Sequence, residues 1–387
     1  MGGVNMETGL LAYDAEKGWL PESESDTVKD GADTLVLVFS SLPMGLTRRA
    51  LQSLRASYPS AVFMGCSTAG EIFDTRFLEQ GMVALAVRFQ RSTLMLECRR
   101  QSPNTDAFAI GQSLAEALSD QADPGTVFVL SEGLRINASH LMMGFNSVLK
   151  GEVPVTGGLA GDGTRFLSTW VMCQDEIHDD MVCALGIYGE QLGVACGSRG
   201  GWDVLGPERL VTRSHGNVLF ELDGQPALAL YKKYLGERAD ELPAAGLLFP
   251  LALRAEHEEQ ERKVRTILGV DEERQSLIFA GDIPQGGLVQ LMRANFDRLI
   301  DGAEDAAASM DMSSYAGGPL CCIAISCVGR HLVLGPRVEE EIEAVRDKLP
   351  QQTRQIGFYS YGELSPLSSG LCDLHNQTMT LTLWWES

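Results

Sequence analysis

The segment Met64-Gly65-Cys66-Ser67-Thr68-Ala69-Gly70-Glu71 sets small and nucleophilic side chains directly behind a stretch, Ser60 to Phe63, that reads as a strand. Glycine at 65 and 70 removes the Cβ barrier to unusual dihedrals, and free N–H groups in such a turn can hold an anion or a carbonyl oxygen. The same residues nearly spell a nucleophile elbow, because Gly65-Cys66-Ser67-Thr68-Ala69 follows G-x-S-x-G except that Ala69 replaces the second glycine. A hydrolase at Ser67 would draw on Asp373 and His375, which stand in the right chain order. Two residues of one strand do not readily serve as orienter and base, however. Cys66 lacks an identifiable base or helix terminus to make it a thiolate.

Three further groupings invite chemistry. Gly157-Gly158-Leu159-Ala160-Gly161-Asp162-Gly163 has G-x-x-G-x-G order, which is neither a dinucleotide fingerprint nor a phosphate-binding P-loop, so it reads as a plain turn or as backbone approaching a ligand closely. Tyr361-Gly362-Glu363 combines a phenol, a flexible residue and a carboxylate that can line a pocket, or Glu363 can simply cap the turn at Ser365-Pro366. Cys173, His178 and Cys183 span a predicted hairpin tip; a zinc site there would lack a fourth ligand and have unusually long spacing.

Taken together, MGCSTAGEIF, GGLAGDG at 157–163, GNVLFELDGQPAL at 216–228, GFYSYGEL at 357–364 and LHNQTMTL at 374–381 resemble the FIST family of bacterial signal-transduction sensor domains, over nearly the whole chain. Within that family a two-module chain of this size is most similar to the NosP-type proteins. The resemblance implies b-type haem, nitric oxide as the sensed molecule, and a histidine kinase or cyclic-di-GMP enzyme as partner. It also leaves open a sensor of amino acids or another small metabolite. Ligand-binding residues implied by the motifs are Gly65, Cys66, Ser67, Thr68, Gly158, Gly161, Asp162, Tyr361, Glu363 and Asn376.

A haem iron asks for a neutral imidazole in an apolar pocket. No C-x-x-C-H occurs, so haem would be held without covalent attachment. Of the six histidines, His375 leads: if the last strand runs on from it, its side chain shares a face with Met379, Leu381 and Leu383. The competing reading is a structural histidine bonded to a backbone carbonyl. His215, near the module boundary, is second. His140 reads as a half-exposed helix start, and His257 and His331 as solvated turn residues.

Composition narrows the partners. With 31 basic and 52 acidic residues the net charge is −21, which disfavours nucleic acid and anionic membrane surfaces. Nine cysteines, several in apolar runs such as Leu320 to Cys327, read as reduced buried thiols. Without a leader or an apolar run of about 18 residues, a cytoplasmic location is expected. A second copy of the chain stays among the candidate partners.

The elements that must position these groups come in an irregular order. Residues 1–31 are polar and acidic and are expected to be an irregular lead-in, followed by an amino-terminal module over 32–210 and a carboxy-terminal module over 211–387. Thr34 to Phe39, Leu46 to Ser57 and Ala61 to Met64 predict a β-α-β start, and 288–310 reads as one helix. Strands and helices interleave without steady alternation. The expected fold is therefore α+β, with two modules of mixed, largely antiparallel sheets and helices on the outer faces.

Overall fold

A computed structural model describes residues 6–23, 27–102, 105–242, 244–254 and 263–387; His257 lies outside them. The first 199 residues carry β1 (Glu7–Asp14), β2 (Gly18–Pro21), β3 (Thr34–Ser40), α1 (Met44–Ser57), β4 (Val62–Ser67), β5 (Glu71–Phe73), β6 (Arg76–Leu78), β7 (Met82–Arg88) and β8 (Thr93–Arg100). There follow α2 (Ala107–Leu118), β9 (Thr126–Ser131), α3 (Ala138–Leu149), β10 (Val155–Leu159), β11 (Val171–Cys173), β12 (Glu176–His178), β13 (Met181–Tyr188) and β14 (Leu192–Arg199). A middle segment contributes β15 (Asp203–His215), β16 (Val218–Leu222), β17 (Gln225–Pro226), α4 (Ala227–Leu235), β18 (Leu251–Arg254), β19 (Lys263–Arg265), β20 (Ile267–Asp271), β21 (Ser276–Phe279) and β22 (Leu288–Arg293). The chain closes with α5 (Phe296–Ala308), β23 (Leu320–Cys327), α6 (Val328–Leu334), α7 (Val338–Lys348), β24 (Thr353–Ser360), β25 (Glu363–Pro366), β26 (Cys372–His375) and β27 (Met379–Glu386).

The α+β expectation holds, with mixed and mainly antiparallel sheets. Their strand order contains a repeat that the sequence conceals. One sheet runs β11-β4-β3-β7-β1, a second β25-β10-β9-β13-β8, a third β5-β24-β23-β27-β14, each with further strands at its edges. In every one the second and third strands are parallel and all other neighbours antiparallel. The parallel pair is joined through helices: α1, α3, and α6 with α7. Each unit then exports the hairpin after its parallel pair to another sheet, β5-β6 to the third, β11-β12 to the first and β25-β26 to the second. Three β-α-β units are thus interlocked in a cyclic exchange.

Close approach of the parallel strands explains one glycine per unit. Gly65, Gly157 and Gly357 stand opposite Val38, Val129 and Ala324, and a Cβ at any of them would run into that residue's carbonyl oxygen. The exchange is sealed by backbone bonds from each unit's turn to the next: Ala69 N donates to Tyr359 O at 2.8 Å, Gly161 N to Ser67 O at 2.9 Å, and Tyr361 N to Leu159 O at 3.3 Å.

Four expectations are corrected. The lead-in is not wholly irregular: β1 pairs with β7 and β2 with β1, extending the first sheet. The boundary at 210/211 cuts through β15, and residues 320–386 complete sheets begun by residues 71–199, so the two halves interlock. Residues 288–293 are strand β22, with the helix starting at Phe296 behind its Asn295 cap. His375 and Met379 belong to different strands of different sheets, because the chain turns between them at Gln377, whose φ is 62°.

Candidate functional site

A cleft of about 480 Å3 opens where β3 and β4 end, the crevice in which parallel strands release their chain ends. Ser40 to Met44 bring the end of β3 and the start of α1 to it; Ser67, Thr68 and Ala69 come from the turn after β4. The loop after β10 supplies Gly161 to Arg165, Ser168 and Trp170, the β6–β7 turn Glu79 and Gln80, and α6 His331. Of the residues singled out from sequence, the cleft therefore unites Ser67, Thr68, Gly161 and Asp162.

Two hydroxyls of the lining are held by one buried carboxyl behind them. Thr68 Oγ1 donates to Glu71 Oε1 at 2.5 Å and Ser41 Oγ to Glu71 Oε2 at 3.0 Å. Glu71 is fully buried, and burial pushes its acid up to about 8, against which these hydrogen bonds pull. The equivalent Glu363 repeats the pattern: Ser360 Oγ donates to it at 2.6 Å, Thr378 Oγ1 at 3.0 Å, and burial again pushes it up to about 8. Among the described residues, neither carboxyl has a bonded cation.

Asp162 builds the rim. Its carboxylate accepts from the N–H groups of Phe166, Leu167 and Ser168 at 2.8–3.0 Å and from the Tyr361 hydroxyl. Phe166 stacks on Tyr361 with centroids 4.4 Å apart, pinning the loop. These donors keep the Asp162 acid low although burial opposes them. Tyr361 thus acts from behind the wall. Arg165 leans out from the same loop, its Nε donating to Asp162 O at 2.9 Å and its terminal nitrogens without a bonded partner among the described residues. The exposed Glu79 carboxylate, also on the cleft, has none either.

His331, read from sequence as a solvated turn residue, is half-buried on α6 between the rings of Phe77 and Tyr359, at 4.5 and 5.2 Å. Burial lowers its basicity, so the ring is neutral near pH 7, and its Nδ1 is buried without a hydrogen-bond partner among the described residues. Gly329-Arg330 looks like turn punctuation; it is helical because Gly329 packs against the Gln377 side chain and Arg330 is clamped inside the core. Nothing in the local sequence signalled this.

Other candidates lie elsewhere. Gly65 and Gly158 serve packing, the latter against Ile325 and Phe358. Cys66 is buried and its thiol is pushed well up. Turn N–H groups expected to be free are spent inside the protein, Thr68 N on Ser40 O and Ala69 N on Tyr359 O. Asn376 is buried and does not line the cleft. His215 is exposed at the β15–β16 turn. His375 sits 3.2 Å by Nε2 from Ser365 O, beside Asp373, Lys263 and Arg265, which is the carbonyl-bonded structural reading. His178 pairs with Glu176 instead of meeting Cys173 and Cys183, and the described residues contain no metal-holding group of His, Cys, Asp and Glu.

Among the described residues, the Ser67 hydroxyl bonds only to the Trp170 backbone, accepting from its N–H at 2.9 Å, and to no imidazole or carboxylate. Ser67→Ala is therefore expected to leave generic ester and amide turnover unchanged from the wild type. A burst of acyl-enzyme that vanishes in the variant would contradict this.

Comparison with known proteins finds two family models that match this chain. A model of the FIST N domain matches residues 34–225 and one of the FIST C domain residues 227–366. An uncharacterised protein of Methanocaldococcus jannaschii is 21% identical over 381 residues, covering 89% of this chain and 72% of its own length. None of the described helices is long and apolar enough to cross a membrane.

Proposed function

We propose, for a chain that belongs to the FIST family, whose domains are signal-transduction sensor domains, that it senses a small polar metabolite bound in the cleft beside Ser67. The observation that carries this reading is the lining: hydroxyls of Ser40, Ser41, Ser67, Thr68, Thr164 and Ser168, with Arg165, whose Nε lies 3.8 Å from Asp162 Oδ2 and whose terminal nitrogens have no bonded partner among the described residues, and the Glu79 carboxylate on the same cleft. An anionic group on Arg165 and a cationic group on Glu79 describe a zwitterion such as an amino acid. Trp170 and neutral His331 would cover its uncharged part.

Haem, which the resemblance implies, does not fit the residues present. The His375 nitrogen that would face an iron is taken up by Ser365 O amid charged neighbours. His331 is the only histidine among the described residues of the cleft, and the cleft's apolar surface is interrupted by hydroxyls and by the charged Arg165 and Glu79, where a porphyrin needs continuous apolar walls. Nitric oxide sensing through haem is therefore not part of the proposal. A histidine kinase or a cyclic-di-GMP enzyme remains the class of partner to which the signal would pass.

Thermal unfolding in the presence of amino acids and other zwitterions tests the reading. A ligand at a hundred times its Kd should stabilise the protein by about 2.7 kcal/mol. A panel that leaves the wild type unmoved, with haem giving saturable one-to-one binding, would reverse the order of the two readings.

A further inference from the structure

Cys173 and Cys183, which the sequence placed at a hairpin, meet a third thiol rather than a histidine. Cys98 on β8 stands directly opposite Cys183 on β13 in the antiparallel register. Opposed residues share a face, and both pack with Cys173 of β11 into one apolar cluster to which all three sheets contribute. Directly opposed Cα atoms lie about 4.5 to 5.5 Å apart, inside the range of about 4.4 to 6.8 Å that a disulfide spans. Among the nine cysteines, Cys98 and Cys196 alone are partly exposed. Burial pushes the Cys196 thiol up to about 12, whereas hydrogen bonding from Cys183 and Cys173 lowers that of Cys98.

We propose that Cys98 is a thiol-modification site that reacts with low-molecular-weight disulfides of the glutathione type and is resolved by Cys183. The Cys98 thiolate attacks one sulfur of the small disulfide, forming a mixed disulfide and expelling one small thiolate. Cys183, giving up its proton, then attacks the Cys98 sulfur and expels the second. Two protein thiols are oxidised, one small disulfide is reduced to two thiols, and the two protons end on those products. Oxidation also withdraws the Cys183 Sγ donor from Met172 O, 3.6 Å away, two residues beyond the cleft residue Trp170.

Incubation of the native protein with oxidised glutathione, followed by peptide mapping, tests this. Two of the nine thiols should be lost as a single Cys98–Cys183 disulfide, reversed by dithiothreitol. Cys183→Ser should stop at glutathionylated Cys98, and Cys98→Ser should keep all its remaining thiols. In the untouched wild type, iodoacetamide should label Cys98 at least about tenfold faster than any other cysteine, a readout independent of whether the variants fold. Labelling led by another cysteine, a different pairing, or no thiol loss overturns the proposal.

Discussion

Arg330→Ala should destabilise the protein by roughly 3–5 kcal/mol, the cost of stripping one partner from a fully buried ion pair. Arg330 and Glu341 have no exposed side-chain surface and meet at 2.7 Å. The guanidinium also donates to Leu299 O at 2.7 Å and to Gly200 O, and so ties α6 to α5 and to the segment entering β15. Glu341 in turn accepts from Tyr359 at 2.7 Å and Ser326 at 3.0 Å. Removing the cation leaves the Glu341 charge buried without its counter-ion and takes a donor from two backbone carbonyls. Denaturant midpoints measure the loss, and Arg330→Met with Glu341→Leu should recover part of it. A single variant within about 0.5 kcal/mol of the wild type would mean that the junction between α6 and the middle segment is not held as described.

A second large effect concerns pH. Glu71 and Glu363 titrate at about 8 in the folded chain against an ordinary value of 4.5. Their folded state holds protons that the unfolded state has released. Each therefore contributes stability that is fully present below pH 4.5 and is lost as pH rises through about 8. The order of magnitude is about 5 kcal/mol per site over that window. A Glu71→Gln, Glu363→Gln protein, which keeps neutral amides in both places, should lack this fall. Unfolding free energies of the two proteins measured from pH 5 to 9 should diverge as pH rises, the variant becoming relatively more stable. Parallel curves would show that both acids ionise without cost in the fold.

How much of this was legible in the sequence differs by element. The β3-α1-β4 start and the buried apolar run that forms β23 were readable because local patterning and burial agree. The Ser67 turn was legible as small residues behind a strand, and in the fold that turn lies on the candidate cleft. The threefold exchange was not, since equivalent residues at its centre, Ser67, Leu159 and Tyr359, act through backbone carbonyls that any side chain can accompany. His375 misled because the break at Gln377 leaves the alternating apolar pattern of β27 intact, so the strand seems to begin earlier than it does. His331 and Arg165 reach the cleft by tertiary packing of α6 and by the Asp162-centred loop, and neither arrangement has a signature in sequence spacing.

Titration calorimetry of the wild type and Arg165→Ala against amino acids, with the matching amines and carboxylic acids as controls, tests the cleft most directly. Loss of a hydrogen bond to a charged group is worth about 1.5–3 kcal/mol, so the variant should bind an amino acid roughly ten to a hundred and fifty times more weakly. The wild type should bind it one to one and discriminate against the analogues lacking either charge. Equal binding by the variant, or tighter binding of the neutral or singly charged analogues, would contradict a zwitterion held between Arg165 and Glu79.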